Sequence, residues 1–213
     1  VASPNIRVID SNFAVKNCTN NGSNGGIFYA KNSEIRFENN AVLGLSTGGL
    51  TSENSDFYLN DNGYSGLIIT GESSIDGESN VYINGNCENS YAYGAFFCGA
   101  KTTFMDGAVL EVDNNYANGI RVVSGRLSWL TNNAGELIIQ DGVSVTITGN
   151  NASRNSATNT GNYGRDDDGG GIWNNASIVL PANAVIYNNH AAHAGDDIYN
   201  TGNITFGQTG TNW

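Results

Sequence analysis

Apolar and polar residues alternate over short stretches that recur along the whole chain. The recurring unit is six residues long and reads apolar, any, apolar, any, any, Asn, with Cys in place of Asn in the first copy and an incomplete last copy. The copies are FAVKNC (13–18), IRFENN (35–40), FYLNDN (57–62), VYINGN (81–86), LEVDNN (110–115), VTITGN (145–150), IVLPAN (178–183) and ITFGQT (204–209). A period of two over so few residues predicts β-strands, because successive side chains of a strand point to opposite faces.

A second pattern, Gly or Asp followed by an apolar run, lies between these copies. It occurs as GGIFY (25–29), GGLTS (48–52), SGLII (65–69), YGAFF (93–97), NGIRV (118–122), GGIWN (170–174) and DDIYN (196–200). Successive copies of the six-residue pattern begin 22 to 35 residues apart, which is too short for a four-stranded propeller blade in most repeats. The two patterns therefore predict an all-β fold, a right-handed parallel β-helix (β-solenoid) of about seven coils that forms one domain over 1–213.

Stacking of like residues on like explains the composition of the repeat. Two apolar positions per copy are expected to point inward and form ladders across the coils, since neighbouring strands lie about 4.8 Å apart. The first ladder is Phe13, Ile35, Phe57, Val81, Leu110, Val145, Ile178 and Ile204, and the second is Val15, Phe37, Leu59, Ile83, Val112, Ile147, Leu180 and Phe206. The recurrent asparagines are expected at the following turn, where their amides bond to the next coil. They are Asn40, Asn62, Asn86, Asn115, Asn150 and Asn183.

The longest repeats carry additional residues. Positions 124–143 contain a further apolar pattern, and 151–168 are almost free of apolar side chains. We expect two insertions that leave the coil, the first as a hairpin or extra strands and the second as a surface loop. Loops that leave a solenoid often cluster on its binding face.

Composition and charge exclude several classes of partner. The chain contains 28 Gly and 34 Asn, and its net charge of −11 provides no basic surface for nucleic acid or anionic lipid. No apolar run approaches 18 residues, so no membrane insertion of this segment is expected. Three cysteines are too few for a disulfide scaffold. Cys87 and Cys98 could pair and leave Cys18 over, but three small, half-buried thiols are the favoured interpretation.

Paired Gly-Gly-apolar and FxxN motifs give the chain a resemblance to a known group of proteins. FENN (37–40) matches FxxN, while GGIF (25–28) and GGGIW (169–173) match the glycine half, and GDDIYN (195–200) is similar to a segment of bacterial surface repeats. The chain resembles the adhesin-like and polymorphic outer-membrane β-helix proteins of bacteria. This resemblance implies an extracellular location, on a bacterial surface or secreted, and a monomeric segment of a longer chain.

An enzyme is the first alternative, because many β-helices act on polysaccharides. Glycosidases need two carboxylates about 5 to 9.5 Å apart. The outward positions expected at the centre of the first strand series include one acid, Glu111, and those of the second series include none. No nucleophile motif is present either. We therefore expect no enzymatic activity.

Acidic turns near the C-terminal end are candidates for a calcium site. Asp166, Asp167 and Asp168 precede one Gly-apolar copy, and Asp196 and Asp197 precede the next, so the two groups could meet across adjacent coils. His190 and His193 stand just before them and could bind zinc, although their spacing suits a helix rather than a loop. Solvated turn residues are the favoured interpretation, and no cofactor is expected.

An aromatic stripe is the main candidate for ligand binding. Outward positions of the second strand series are expected to lie on one face, where exposed rings mark interaction surfaces. The residues singled out are Phe28, Phe96, Trp173 and Tyr199, with Tyr58 and Tyr82 as a weaker patch on the first series. Either a covering loop or the opposite facing of these strands would remove the stripe from solvent. The favoured function is an adhesin that binds a host glycan or protein, and the alternatives are a carbohydrate-active enzyme and a purely structural stalk.

Overall fold

The computed structural model describes residues 5–19, 25–88, 93–124, 135–152 and 168–207, and all of its sheets are parallel. Sheet A has eight strands: β1 (Ile6–Ile9), β3 (Ile27–Lys31), β6 (Gly49–Glu53), β9 (Ser73–Ile75), β12 (Lys101–Phe104), β15 (Glu136–Ile139), β18 (Ser177–Leu180) and β21 (Asn203–Phe206). Sheet B has seven: β2 (Asn12–Lys16), β4 (Glu34–Glu38), β7 (Asp56–Asn60), β10 (Asn80–Asn84), β13 (Val109–Asp113), β16 (Ser144–Thr148) and β19 (Val185–Tyr187). Sheet C has six: β5 (Leu45–Thr47), β8 (Leu67–Ile69), β11 (Tyr93–Cys98), β14 (Asn118–Val123), β17 (Ile172–Asn174) and β20 (Ile198–Asn200).

The chain passes through sheets A, B and C in turn, so each coil contains three strands. Six such coils are complete within the described residues; β1 and β2 precede them, and β21 follows them. This confirms the β-solenoid and corrects the expected number of about seven coils. One apolar core fills the space between the three sheets, and Ile35, Phe57 and Ile83 in it are completely buried.

The buried asparagines form a continuous ladder along the corner between sheets B and C. The Nδ2 group of Asn86 donates to Asn115 Oδ1 at 2.9 Å, and the backbone N–H of Asn86 donates to the same oxygen at 3.0 Å. Asn115 makes the same pair of bonds to Asn150, and its Nδ2 also donates to the Ile83 carbonyl at 2.9 Å. Each buried amide is thus satisfied by its neighbours, which stabilises polar groups inside the solenoid.

Residues that tolerate positive φ precede these asparagines. The φ angle is +54° at Asn39, +55° at Asp61 and +64° at Gly85. Asn, Asp and Gly adopt this left-handed conformation more readily than other residues, so the doublets NN, DN and GN are turn signals as well as ladder signals.

Glycines at the start of the sheet C strands pack against the ladder. A Cβ atom on Gly94 would lie 2.5 Å from the Gly119 carbonyl oxygen and 2.8 Å from Asn115 Nδ2. Gly66 and Gly119 meet the ladder in the same way. The two sequence patterns are therefore physically coupled, because the close approach of the strand to the amides leaves no room for a side chain.

The last two copies of the six-residue pattern do not continue the predicted ladders, because they lie in sheet A whereas the earlier copies lie in sheet B. In sheet A, Ile178 is the register partner of Leu137, and Ile204 is the register partner of Ile178. The seventh strand of sheet B is instead β19. Asn189, two residues after β19, receives the bonds from Asn150, while Asn183 is exposed. The error arises because inward positions of sheets A and B share the same period, so the apolar pattern does not distinguish them.

The expected insertion at 124–143 is also corrected in part. Glu136–Ile139 form a regular strand of sheet A, in register with Lys101–Phe104. Residues 125–134 of that insertion and 153–167 of the second lie outside the described residues. All three cysteines are free; Cys87 and Cys98 are buried, and burial raises the pKa of Cys98 to about 12.

Candidate functional site

Two of the predicted stripe residues, Phe96 and Trp173, point outward from sheet C but are buried. They lie in one column with Arg121 between them and Tyr199 beyond Trp173. Phe96 is 6% exposed and Trp173 is 2% exposed, and both belong to a second apolar cluster outside the sheet, with Cys98 and Val123. The expectation of an exposed stripe is therefore wrong for these two residues, and Tyr199 is half-buried.

The ring faces of this column are also occupied by neighbours. The Arg121 guanidinium lies 4.0 Å from the Trp173 ring centroid, and the Tyr199 ring lies 6.2 Å away, nearly parallel. Stacking on a sugar requires a free ring face, so the column does not offer the surface that was predicted.

Phe28 belongs to a different sheet and faces the core. It lies in sheet A next to Leu50, is 1% exposed, and contacts the rings of Phe37 and Phe57 at 6.1 Å. The prediction that it points outward is wrong. GGIFY enters sheet A rather than sheet C, so the Gly-apolar pattern alone does not identify the sheet.

Tyr58 and Tyr82 do point outward, on sheet B, and are partly exposed. Their rings stack at 5.1 Å, and the Arg36 guanidinium lies 4.1 Å from Tyr58. Because the coils stack in the order Arg36, Tyr58, Tyr82, both faces of the Tyr58 ring are covered. Only the ring edges and hydroxyl groups remain for a ligand at Tyr58.

The predicted calcium residues that the structure describes each have a bonding partner in the protein. Asp168 is almost completely buried, and its Oδ1 lies 2.7 Å from His193 Nδ1, while Asp196 Oδ1 accepts from the Ala191 N–H at 2.9 Å. Asp197 Oδ1 accepts the Asn189 side-chain amide at 2.9 Å and so takes the place of the next ladder asparagine. Asp166 and Asp167 lie outside the described residues.

Within the described ranges, no three His, Cys, Asp or Glu side chains lie close enough together to hold a metal ion. His190 Nδ1 lies 3.3 Å from Asp196 Oδ1, so each histidine is paired with a different carboxylate. The structure therefore does not bring the two histidines and the aspartates into one metal-binding group in this part of the chain.

The outer face of sheet B carries an acid pair at the first position of two neighbouring strands, outside the central outward column to which the sequence prediction refers. Glu34 and Asp56 are register partners on the outer face of sheet B. Arg36 Nε donates to Glu34 at 2.7 Å and lowers the pKa of Glu34, while Asn80 Nδ2 donates to Asp56 at 2.6 Å. A general acid needs a raised pKa, so Glu34 is unsuited to protonate a leaving group.

A polar groove on the outer face of sheet A was not predicted. It contains a cleft of about 490 Å³ whose floor consists of Thr51, Ser74 and Thr103, three register partners with short hydroxyl side chains. Glu72, Lys101 and Met105 border the cleft. A second cleft of about 370 Å³ is lined by Ser177 and Asn203 of the same sheet together with the turns that enter it. The available signal was a short hydroxyl residue at the outward position of each of the segments TSE, SSI and KTTF.

Comparisons of the chain with protein-family models, with curated proteins and with solved structures gave no match. In the residues that the structure describes, no helix has the length and apolarity needed to cross a membrane.

An ion-pair network on sheet B predicts sensitivity to acid. Hydrogen bonds from Lys16 and Arg36 outweigh partial burial and lower the pKa of Glu38, and Arg36 does the same for Glu34. A folded-state pKa below the ordinary 4.5 means that these contacts stabilise the protein above that pH and are lost as the pH falls through the lowered values. We expect the melting temperature, followed by circular dichroism, to fall between pH 5 and pH 3. Arg36→Met should make this fall in melting temperature smaller, whereas Lys101→Met, outside the network, should not change it. Equal effects of the two substitutions would show that the sheet B ion pairs do not cause the acid sensitivity.

Proposed function

We propose that this chain is an extracellular adhesin-type β-solenoid of a bacterial surface protein, and that it binds a host glycan through the polar groove of sheet A. The two clefts on that sheet are the observation that carries the proposal. The location outside a bacterial cell rests on the resemblance of the Gly-Gly-apolar and FxxN motifs to those of surface β-helix proteins.

The chemistry of the groove suits a carbohydrate. Hydroxyl, amide, carboxylate and ammonium groups converge there, and each can bond to a sugar hydroxyl, which both donates and accepts. The Met105 side chain, 39% exposed, adds an apolar contact for the C–H groups of a sugar ring. The hydroxyl groups of the floor are held in place by the strand pairing of sheet A, so they are positioned before a ligand arrives.

Filling the groove is the direct test. Thr103→Trp is expected to weaken binding in a glycan array at least about tenfold, because the indole occupies the cleft and displaces its polar contacts. Thr146→Trp makes the same change at an outward position of sheet B and should leave binding unchanged.

Other outcomes separate the alternatives. No bound glycan for the unmodified protein would contradict the proposal and favour the structural stalk. Equal loss in both variants would place binding away from the groove. Release of sugar products from any array member, measured by mass spectrometry, would favour the carbohydrate-active enzyme.

A further inference from the structure

A column of register partners at the N-terminal ends of the sheet A strands runs from the first cleft to the second. Lys101 is the register partner of Glu136, Glu136 of Ser177, and Ser177 of Asn203. Glu72 directly precedes Ser73, which pairs with Thr102, so Glu72 lies beside Lys101 on the preceding coil. Five successive coils contribute to the column, and four steps of about 4.8 Å give a length of about 19 Å. A ligand that reaches both clefts along this column has several sugar units rather than one.

Acceptors and donors alternate along this column. The carboxylates of Glu72 and Glu136 accept hydrogen bonds, and the Lys101 ammonium between them donates. Farther along, the Ser177 hydroxyl and the Asn203 amide do both. A row of sugar hydroxyls matches this alternation without any charged group on the ligand.

Lys101 differs from the other described cations because its ammonium group is neither in an ion pair nor over an aromatic ring. Lys16, Lys31 and Arg36 form ion pairs with glutamates, Arg7 lies over the Tyr29 ring, and Arg121 is buried against Trp173. Lys101 is exposed and has neither an ion pair nor a ring contact among the described residues. Its three N–H groups are therefore available to a ligand.

We infer that the groove binds a neutral, polyhydroxylated glycan and discriminates against sugars that carry carboxylates, an inference that rests on the proposed function. Two glutamates flank the single lysine, so a uronate would meet more negative than positive charge there, on a protein of net charge −11. Charged hydrogen bonds from these three residues to hydroxyls provide both affinity and selectivity.

Isothermal titration calorimetry with matched oligosaccharides tests the inference. The probes are linear hexasaccharides of neutral glucose, mannose and galactose, and the hexasaccharide of galacturonic acid. The unmodified protein is expected to bind at least one neutral probe about tenfold or more tightly than the galacturonate, and Lys101→Met should weaken that binding about tenfold. Lys31→Met, on the same face of sheet A but outside the groove, is the control.

A second variant tests the origin of the selectivity. Glu72→Gln combined with Glu136→Gln keeps the size of both side chains but removes two negative charges, so the preference for the neutral probe should narrow. Tighter binding of galacturonate by the unmodified protein would overturn the inference while leaving glycan binding intact. Equal effects of Lys101→Met and Lys31→Met, or unchanged selectivity in the double variant, would also overturn it. Failure of every probe to bind, including the galacturonate, would instead count against the proposed function itself.

Discussion

Ile83→Asp is expected to abolish the folded state. Ile83 is completely buried in the core between the three sheets, in register with Val112 of the next coil. The substitution removes apolar contacts and places a carboxylate where the surrounding side chains are apolar, at a cost of about 5 kcal/mol or more. That cost is comparable to the whole stability of a typical domain. Circular dichroism should therefore show loss of the β-sheet signal and of the cooperative thermal transition.

The adjacent residue provides the matched control. Tyr82 points to the other side of the same strand and is partly exposed, so Tyr82→Asp loses its stacking on Tyr58 but buries no charge. We expect it to remain folded and to lose about 1 kcal/mol. Equal damage from the two substitutions would contradict the assignment of inward and outward positions.

Asn115→Ala is expected to lower the free energy of unfolding by about 3–5 kcal/mol. The substitution removes the oxygen that accepts both Asn86 N–H groups and the amide that satisfies the Ile83 carbonyl. All of these groups are buried, so water does not replace the lost bonds. Chemical denaturation in urea, with the transition midpoint and slope compared between variants, measures the loss.

Two further variants test whether the loss of stability depends on the ladder hydrogen bonds rather than on the removal of any asparagine. Asn183→Ala, at an exposed position, should change stability by no more than about 0.5 kcal/mol. Asn115→Asp keeps an acceptor for Asn86 and the backbone N–H bond to Asn150, but it loses the side-chain N–H that donates to Asn150 and to the Ile83 carbonyl, so it should also be strongly destabilising. A mild effect of Asn115→Ala, close to that of Asn183→Ala, would show that the ladder is not essential.

The architecture was predictable because each coil repeats the same short alternation with the same turn residues. Phe57, Val81 and Leu110 were correctly placed in one inward column, which the pairing of β7, β10 and β13 confirms. The buried amide ladder was also predicted from the spacing of asparagines such as Asn62 and Asn86. These features depend on local sequence, and the same short pattern recurs in each coil, so it can be recognised without the structure.

The identity of each sheet and the exposure of outward residues were less predictable. Phe28 and Phe96 follow the same Gly-apolar pattern, yet the first faces the core from sheet A and the second faces away from it in sheet C. Burial of Phe96 and Trp173 depends on packing outside the coil, which period-two alternation does not encode. The groove was missed because hydroxyl side chains at outward positions, such as Thr51 and Ser74, are common on any solvated strand.

The amide ladder also determines how freely this fold can diversify. Successive ladder positions lie 22 residues apart between Asn40 and Asn62 but 39 apart between Asn150 and Asn189, with the same hydrogen bonds at both steps. The ladder bonds thus fix the register of strand pairing at one point in every coil, whatever length of chain separates successive ladder residues. A foreign peptide inserted between a ladder asparagine and the glycine that starts the next sheet C strand should therefore leave the register of neighbouring coils intact. The domain is for this reason a suitable scaffold for evolving or engineering new binding surfaces.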